Sequence, residues 1–178
     1  MTDKWIGISA TQFKKYQDWK TPAGYLCGTY ASAVLLAYYN DHLDEEMIPR
    51  HVRYPNSRRP GALPDILRGY IQPLGLPTLG LQVGHGISQY FASYKLPYRA
   101  RTTTIGAWQR STKRIRAGKP VILGLLKVLG SSYGNHWVVA YAYLETASGE
   151  RFYKIHDNWG EYQKVIPAKW ANGTVSLP

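Results

Sequence analysis

The chain has 178 residues, a formal net charge of +11, 44% apolar and 19% charged residues, and 3 Phe, 6 Trp and 15 Tyr. That is globular composition, which excludes a disordered or fibrous protein. Its single cysteine excludes an intramolecular disulfide framework and any cysteine-rich metal or iron–sulfur site.

The length suits one domain spanning 1–178. The longest purely apolar stretch, Val121 to Leu126, is too short to span a bilayer. The N-terminus lacks a hydrophobic signal core, so the expected location is cytoplasmic, or secreted or cell-surface if a signal peptide has been removed.

In chain order, the segment to about Tyr25 reads as irregular, with Pro22 and Gly24 as breakers. Cys27, Tyr30, Ala31, Val34, Leu35 and Tyr38 then recur at helical spacing and predict a buried or half-buried helix ending near Asn40 and Asp41. Residues 42–62 form a polar excursion with a loop at Arg58, Arg59, Pro60 and Gly61. Pro64 suits the first turn of a helix through Ile66, Leu67 and Tyr70, which Pro73, Gly75 and Pro77 break. Residues 87–95 predict a short helix, and His85, between two glycines, reads as a turn residue. Tyr98 to Ile105 reads as a strand, and 107–117 as a basic helix stopped by Gly118. Strands follow at 121–128, 136–145 and 151–159, the last two joined by a turn at Ser148 and Gly149, with short edge strands at 164–166 and 174–177. Helices first and antiparallel sheet second make an α+β architecture.

The charge is uneven. Between Ile66 and Leu144 there is no Asp or Glu but there are ten Lys or Arg, five of them Arg110, Lys113, Arg114, Arg116 and Lys119. Such a patch suits an anionic partner, or is simply a solvated helix face. No zinc-finger, RNA-recognition or phosphate-loop signature accompanies it. No specific nucleic-acid partner, metal or cofactor is expected.

Three residues could carry chemistry. Cys27 opens a helix, where free backbone N–H groups and the helix dipole favour a thiolate and predict a lowered pKa. Gly28 leaves room for a substrate backbone. His136 begins a strand after the glycine-rich loop 130–135. Asp157 shares a strand face with Tyr153 and Ile155, and a hairpin would set it beside His136 to hold the imidazole in the right tautomer. Cysteine, histidine and an orienting acid form a nucleophilic triad. Singly, each has a plain reading: a small buried hydrophobe, a satisfied histidine, a turn aspartate. His156, on the face opposite Asp157, is expected to be exposed; His42 and His51 carry little signal.

These segments resemble those of papain-like cysteine peptidases. Leu26-Cys27-Gly28 resembles the start of the nucleophile helix, and Asn135-His136-Trp137-Val138-Val139 the histidine strand. Asp157-Asn158-Trp159-Gly160 resembles the segment carrying the third triad member, and Gly118-Lys119-Pro120-Val121-Ile122 is similar to the lead-in to the central strand of the bacterial branch. That branch includes peptidase domains that remove bacteriocin leaders after a double glycine. The resemblance implies a papain-like fold, with the nucleophile helix packed on a C-terminal antiparallel sheet. It also implies hydrolysis of a peptide or protein substrate through a thioester, with Cys27 as nucleophile, His136 as general base and acid, and Asp157 as orienter. Trp159 is implied to pack near His136. Where the family usually places an oxyanion-hole glutamine, six residues before the cysteine, this chain has Thr21, so Gln17 is the candidate donor. Alternatives are a cell-wall amidase or endopeptidase, an acyltransferase on the same triad, and a non-catalytic basic module binding an anionic cell-wall polymer. Cell-wall enzymes commonly show an Asp-Cys-Ser-Gly segment, which Leu26-Cys27-Gly28-Thr29 does not match.

Overall fold

The stripe beginning at Cys27 builds α1 (Cys27–His42), and every residue from Cys27 to Tyr39 is buried. Its small residues, Ala31, Ser32, Ala33 and Ala37, let neighbours close around the helix, so it is buried all round. The structure, a computed structural model, describes residues 4–22, 24–54 and 59–178; Ala23, in the segment before Cys27, and Arg58, in the expected loop, lie outside them.

Three further helices are α2 (Leu63–Ile71), α3 (Gly80–Ser93) and α4 (Ala107–Arg116). Pro64 lies in the first turn of α2, and α4 ends ahead of Gly118, both as the sequence predicts. Helix α3 starts seven residues earlier than expected, which makes His85 an exposed helical residue and not a turn residue. Its glycines are packing devices. A Cβ on Gly86 would lie 2.9 Å from the Ile71 Cα and the Tyr70 carbonyl oxygen, and one on Gly84 would strike the Thr102 hydroxyl.

The strands are β1 (Ile6–Gly7), β2 (Arg101–Thr103), β3 (Val121–Leu125), β4 (His136–Glu145), β5 (Arg151–His156), β6 (Lys164–Pro167) and β7 (Ala171–Ser176). They form an antiparallel sheet in the order β2-β7-β3-β4-β5-β6, and β1 pairs with β4 at Ala142 and Tyr143, beyond the reach of β3. Helices on an antiparallel sheet bear out the α+β class. Strand β6 is an edge, as expected. Strand β7 is not: it lies between β2 and β3, with Ile122 opposite Val175 and Thr102 opposite Val175 on its other side. One face of the sheet, Ile122, Val139, Tyr141 and Val175, packs with α1. The other, with Leu123, Val138 and Ala140, packs with Ile115 of α4.

The N-terminal segment, expected to be irregular, contains β1 and two short 3-10 turns. Phe13 stacks between Tyr38 of α1 and Tyr141 of β4 at 4.9 and 4.2 Å between ring centres. The Tyr16 hydroxyl donates to Asp41 Oδ2 at 2.6 Å, where Arg53 and Lys15 also pair. Burial raises the Asp41 pKa, but these three donors outweigh it and hold the carboxyl below its ordinary value. No helix among the described residues is long and apolar enough to cross a membrane.

Candidate active site

Helix α1 has Leu26 at its N-cap and no side-chain cap, so its first backbone N–H groups are left to the Cys27 end of the helix. Cys27, its first residue, is 9% exposed and faces a cavity of about 420 Å³ that His136 also lines. Burial raises the thiol pKa, opposed by the N–H groups of Trp137, Gly28 and Cys27 itself. Burial wins, so the thiol is not lowered as helix position alone predicts.

Gln72, which the sequence reading did not single out, holds this helix start. Its buried amide donates to the carbonyls of Tyr25 and Leu76 at 2.6 and 2.7 Å and accepts from the Thr29 hydroxyl at 2.7 Å. The chain just before Cys27, the first turn of α1 and the end of α2 are therefore fixed to one side chain.

His136 enters from the sheet at the first position of β4, opposite Leu125 of β3. Its Nε2 lies 2.7 Å from the main-chain oxygen of Asp157. A carbonyl only accepts, so Nε2 carries the proton and Nδ1 is left as the base. The ring packs against both Tyr133 (5.4 Å, stacked) and Trp159 (4.2 Å), which also meet each other at 5.2 Å, and Trp159 stays 52% exposed. Burial lowers the His136 pKa, opposed by the Asp157 carbonyl and the Asp157 charge.

The Asp157 carboxylate is used elsewhere. Strand β5 ends at His156, so the face alternation read from Tyr153 and Ile155 stops one residue short of Asp157. Oδ2 accepts from the Tyr133 hydroxyl at 2.9 Å, and Oδ1 accepts from the N–H groups of Trp159 and Glu161 at 2.8 and 3.0 Å. The acid thus shapes its own turn and presents its carbonyl to His136. Asn158, at φ +49°, locks that turn: its Nδ2 donates to the Trp137 carbonyl at 2.7 Å and its Oδ1 accepts from Thr21 at 2.5 Å. His156 completes the lock. It is fully buried, not exposed, because the N-terminal segment covers its face: Nε2 donates to the Tyr16 carbonyl at 2.7 Å and Nδ1 accepts from the Asn158 N–H at 3.1 Å.

Gln17 is not brought to the cavity. Its amide donates to the Gly160 carbonyl at 3.2 Å. Gly28 does not leave open space either, since a Cβ there would lie 2.5 Å from the Thr78 hydroxyl and 3.3 Å from the Trp137 ring. Trp137 forms the cavity floor, its Nε1 donating to the Thr78 carbonyl at 3.3 Å. Its ring fits because Gly124 lies beneath it, where a Cβ would lie 2.8 Å from the indole. Among the described residues, no three His, Cys, Asp or Glu side chains group so as to hold a metal ion.

No protein-family profile and no curated protein sequence matches the chain. Among solved structures it is similar to a recombinant stem bromelain precursor, a papain-like cysteine protease, with a TM-score of 0.51 and 10% identity over 97% of this chain and 74% of that one. The fold is papain-like. At this identity the likeness concerns the fold alone.

Proposed function

We propose that this papain-like chain is a cysteine-type hydrolase of peptide or amide bonds. The observation that carries the reading is a helix-terminal thiol and a tautomer-fixed imidazole lining one cavity. In this reading Cys27 Sγ attacks the scissile carbonyl carbon while His136 Nδ1 takes the thiol proton. The Sγ–C bond forms and the carbonyl π pair moves to oxygen, where the Cys27 N–H receives the developing charge. Collapse breaks the C–N bond, and His136 returns the proton to the leaving amine. A water, deprotonated by His136, then cleaves the thioester and restores the thiol. Asp157 acts as a positioning residue through its carbonyl. The motifs around Gly118 and His136 support a place in the bacterial branch of this family.

A second reading, a papain-like fold kept for binding, draws on the raised Cys27 pKa and on Gln17 lying outside the cavity. A peptidyl chloromethyl ketone separates the two. If His136 serves Cys27 as base, labelling at Cys27 runs at least about 100-fold faster than with a free thiol at the same pH, and His136→Ala abolishes the excess. Labelling no faster than a free thiol, and indifferent to His136, would overturn the hydrolase reading.

A further inference from the structure

Next to the Cys27 cavity lies a second recess of about 500 Å³, and Thr102 lines both. Its charged and ionisable wall is Arg99 just before β2, Arg101 at the start of β2 and His85 on α3. Arg99 and Arg101 are exposed, and neither has an acidic partner among the described residues, whose ion pairs lie at Asp41 and Glu145. Behind β2 the charge has the same sign: burial lowers the pKa of Arg110 on α4, and Arg101 and Arg114 push it the same way. No residue lining either recess is Asp or Glu. Leu81, which is exposed, adds apolar surface to this recess. Uncompensated like charges beside a half-apolar groove favour an occupant with an aliphatic stem and a carboxylate head. Arginine forks match a carboxylate in pairs, and a cleft of one sign raises the local concentration of opposite charge.

We infer that this recess is a subsite for an Asp or Glu side chain, so that the substrates of the Cys27 cavity are acidic peptides. The inference rests on the hydrolase reading and names its substrate class. Its test uses peptidyl chloromethyl ketones carrying Glu or Gln at each of the three positions before the reactive group. At one position Glu inactivates about tenfold faster than Gln at low salt, and that ratio falls toward one at high salt. In Arg99→Ala/Arg101→Ala the ratio falls toward one at low salt as well, and in the Arg99→Glu/Arg101→Glu chain it inverts. Glu and Gln probes of equal rate at all three positions, with Cys27 labelling still accelerated and dependent on His136, would sink the subsite and leave the hydrolase reading standing. A Cys27 that labels no faster than a free thiol would remove both.

Discussion

A carbonyl in the orienting position does different work from a carboxylate. It fixes the His136 tautomer through a neutral acceptor, and burial outweighs both that carbonyl and the Asp157 charge, leaving the imidazole pKa below its ordinary value. With the thiol pushed the other way, the resting pair is neutral. Labelling assisted by His136 is therefore expected to rise as the imidazole loses its proton, below pH ~6.5, whereas in His136→Ala it should rise only with the thiol itself, through a midpoint above the ordinary value of ~8.5. Asp157→Asn keeps the main-chain carbonyl and an acceptor oxygen for the Trp159 and Glu161 N–H groups. It should slow labelling by less than about tenfold, where a charged triad acid would cost about 10⁴ on such a change. A loss near that larger figure, read from probe kinetics, would show that the carboxylate itself serves the imidazole. Cys27 and His136 were legible because a helix start and a strand start are visible in residue patterns. The Asp157 carbonyl was not, since side-chain alternation says nothing about a backbone group beyond the end of a strand. His156 was misread for the same kind of reason: the Tyr16 segment that covers it lies 140 positions away in sequence.

Elements held by long-range contacts were the least legible. Helix α3 shows the conflict, because glycine lowers helix propensity and pairs of glycines read as punctuation. Here they let α2 and β2 approach the helix backbone. Gly86→Ala should therefore reverse the usual sign. An exposed helix would gain up to about 1 kcal/mol from that change, whereas contact with the Ile71 backbone should cost about 1–3 kcal/mol. The urea midpoint at constant m-value measures it; a gain in stability would mean that α2 yields easily. Conversely, β4 was bounded correctly at both ends, because a run of Val, Ala and Tyr between a glycine loop and a turn carries its own limits. The strand expected at 174–177 reads as a short edge strand, whereas β7 begins at Ala171 and lies inside the sheet. What decides its place is the gap between β2 and β3, which no local pattern encodes.

For the whole molecule, two buried neutral histidines set the response to acid. Burial lowers the pKa of both His136 and His156 in the folded state. An unfolded histidine takes up its proton near pH ~6.5, so folded stability is fully present above that value and is lost as pH falls below it. The loss approaches about 1.4 kcal/mol per pH unit for each histidine until its folded pKa is reached. Urea unfolding from pH 7 to pH 5 should trace that slope, and His156→Gln should make it shallower by one proton. An unchanged slope would mean that His156 is protonated in the folded protein. Asp41, held below its ordinary value, adds a separate loss as pH falls below ~3.9.

The place of β7 also governs the order in which the molecule can be made. Its residues, 171–176, supply the hydrogen-bonded neighbour of both β2 and β3. Synthesis delivers β2 some seventy residues before that partner exists. Until then Arg101 to Thr103 have no strand to join, while β3, β4 and β5 can already pair with one another. A nascent chain on the ribosome should thus hold a three-stranded core and α1 early, and gain the wall carrying Thr102 only when β7 emerges. Both recesses share that residue, so the cleft is complete only once residues 171–176 have paired with β2.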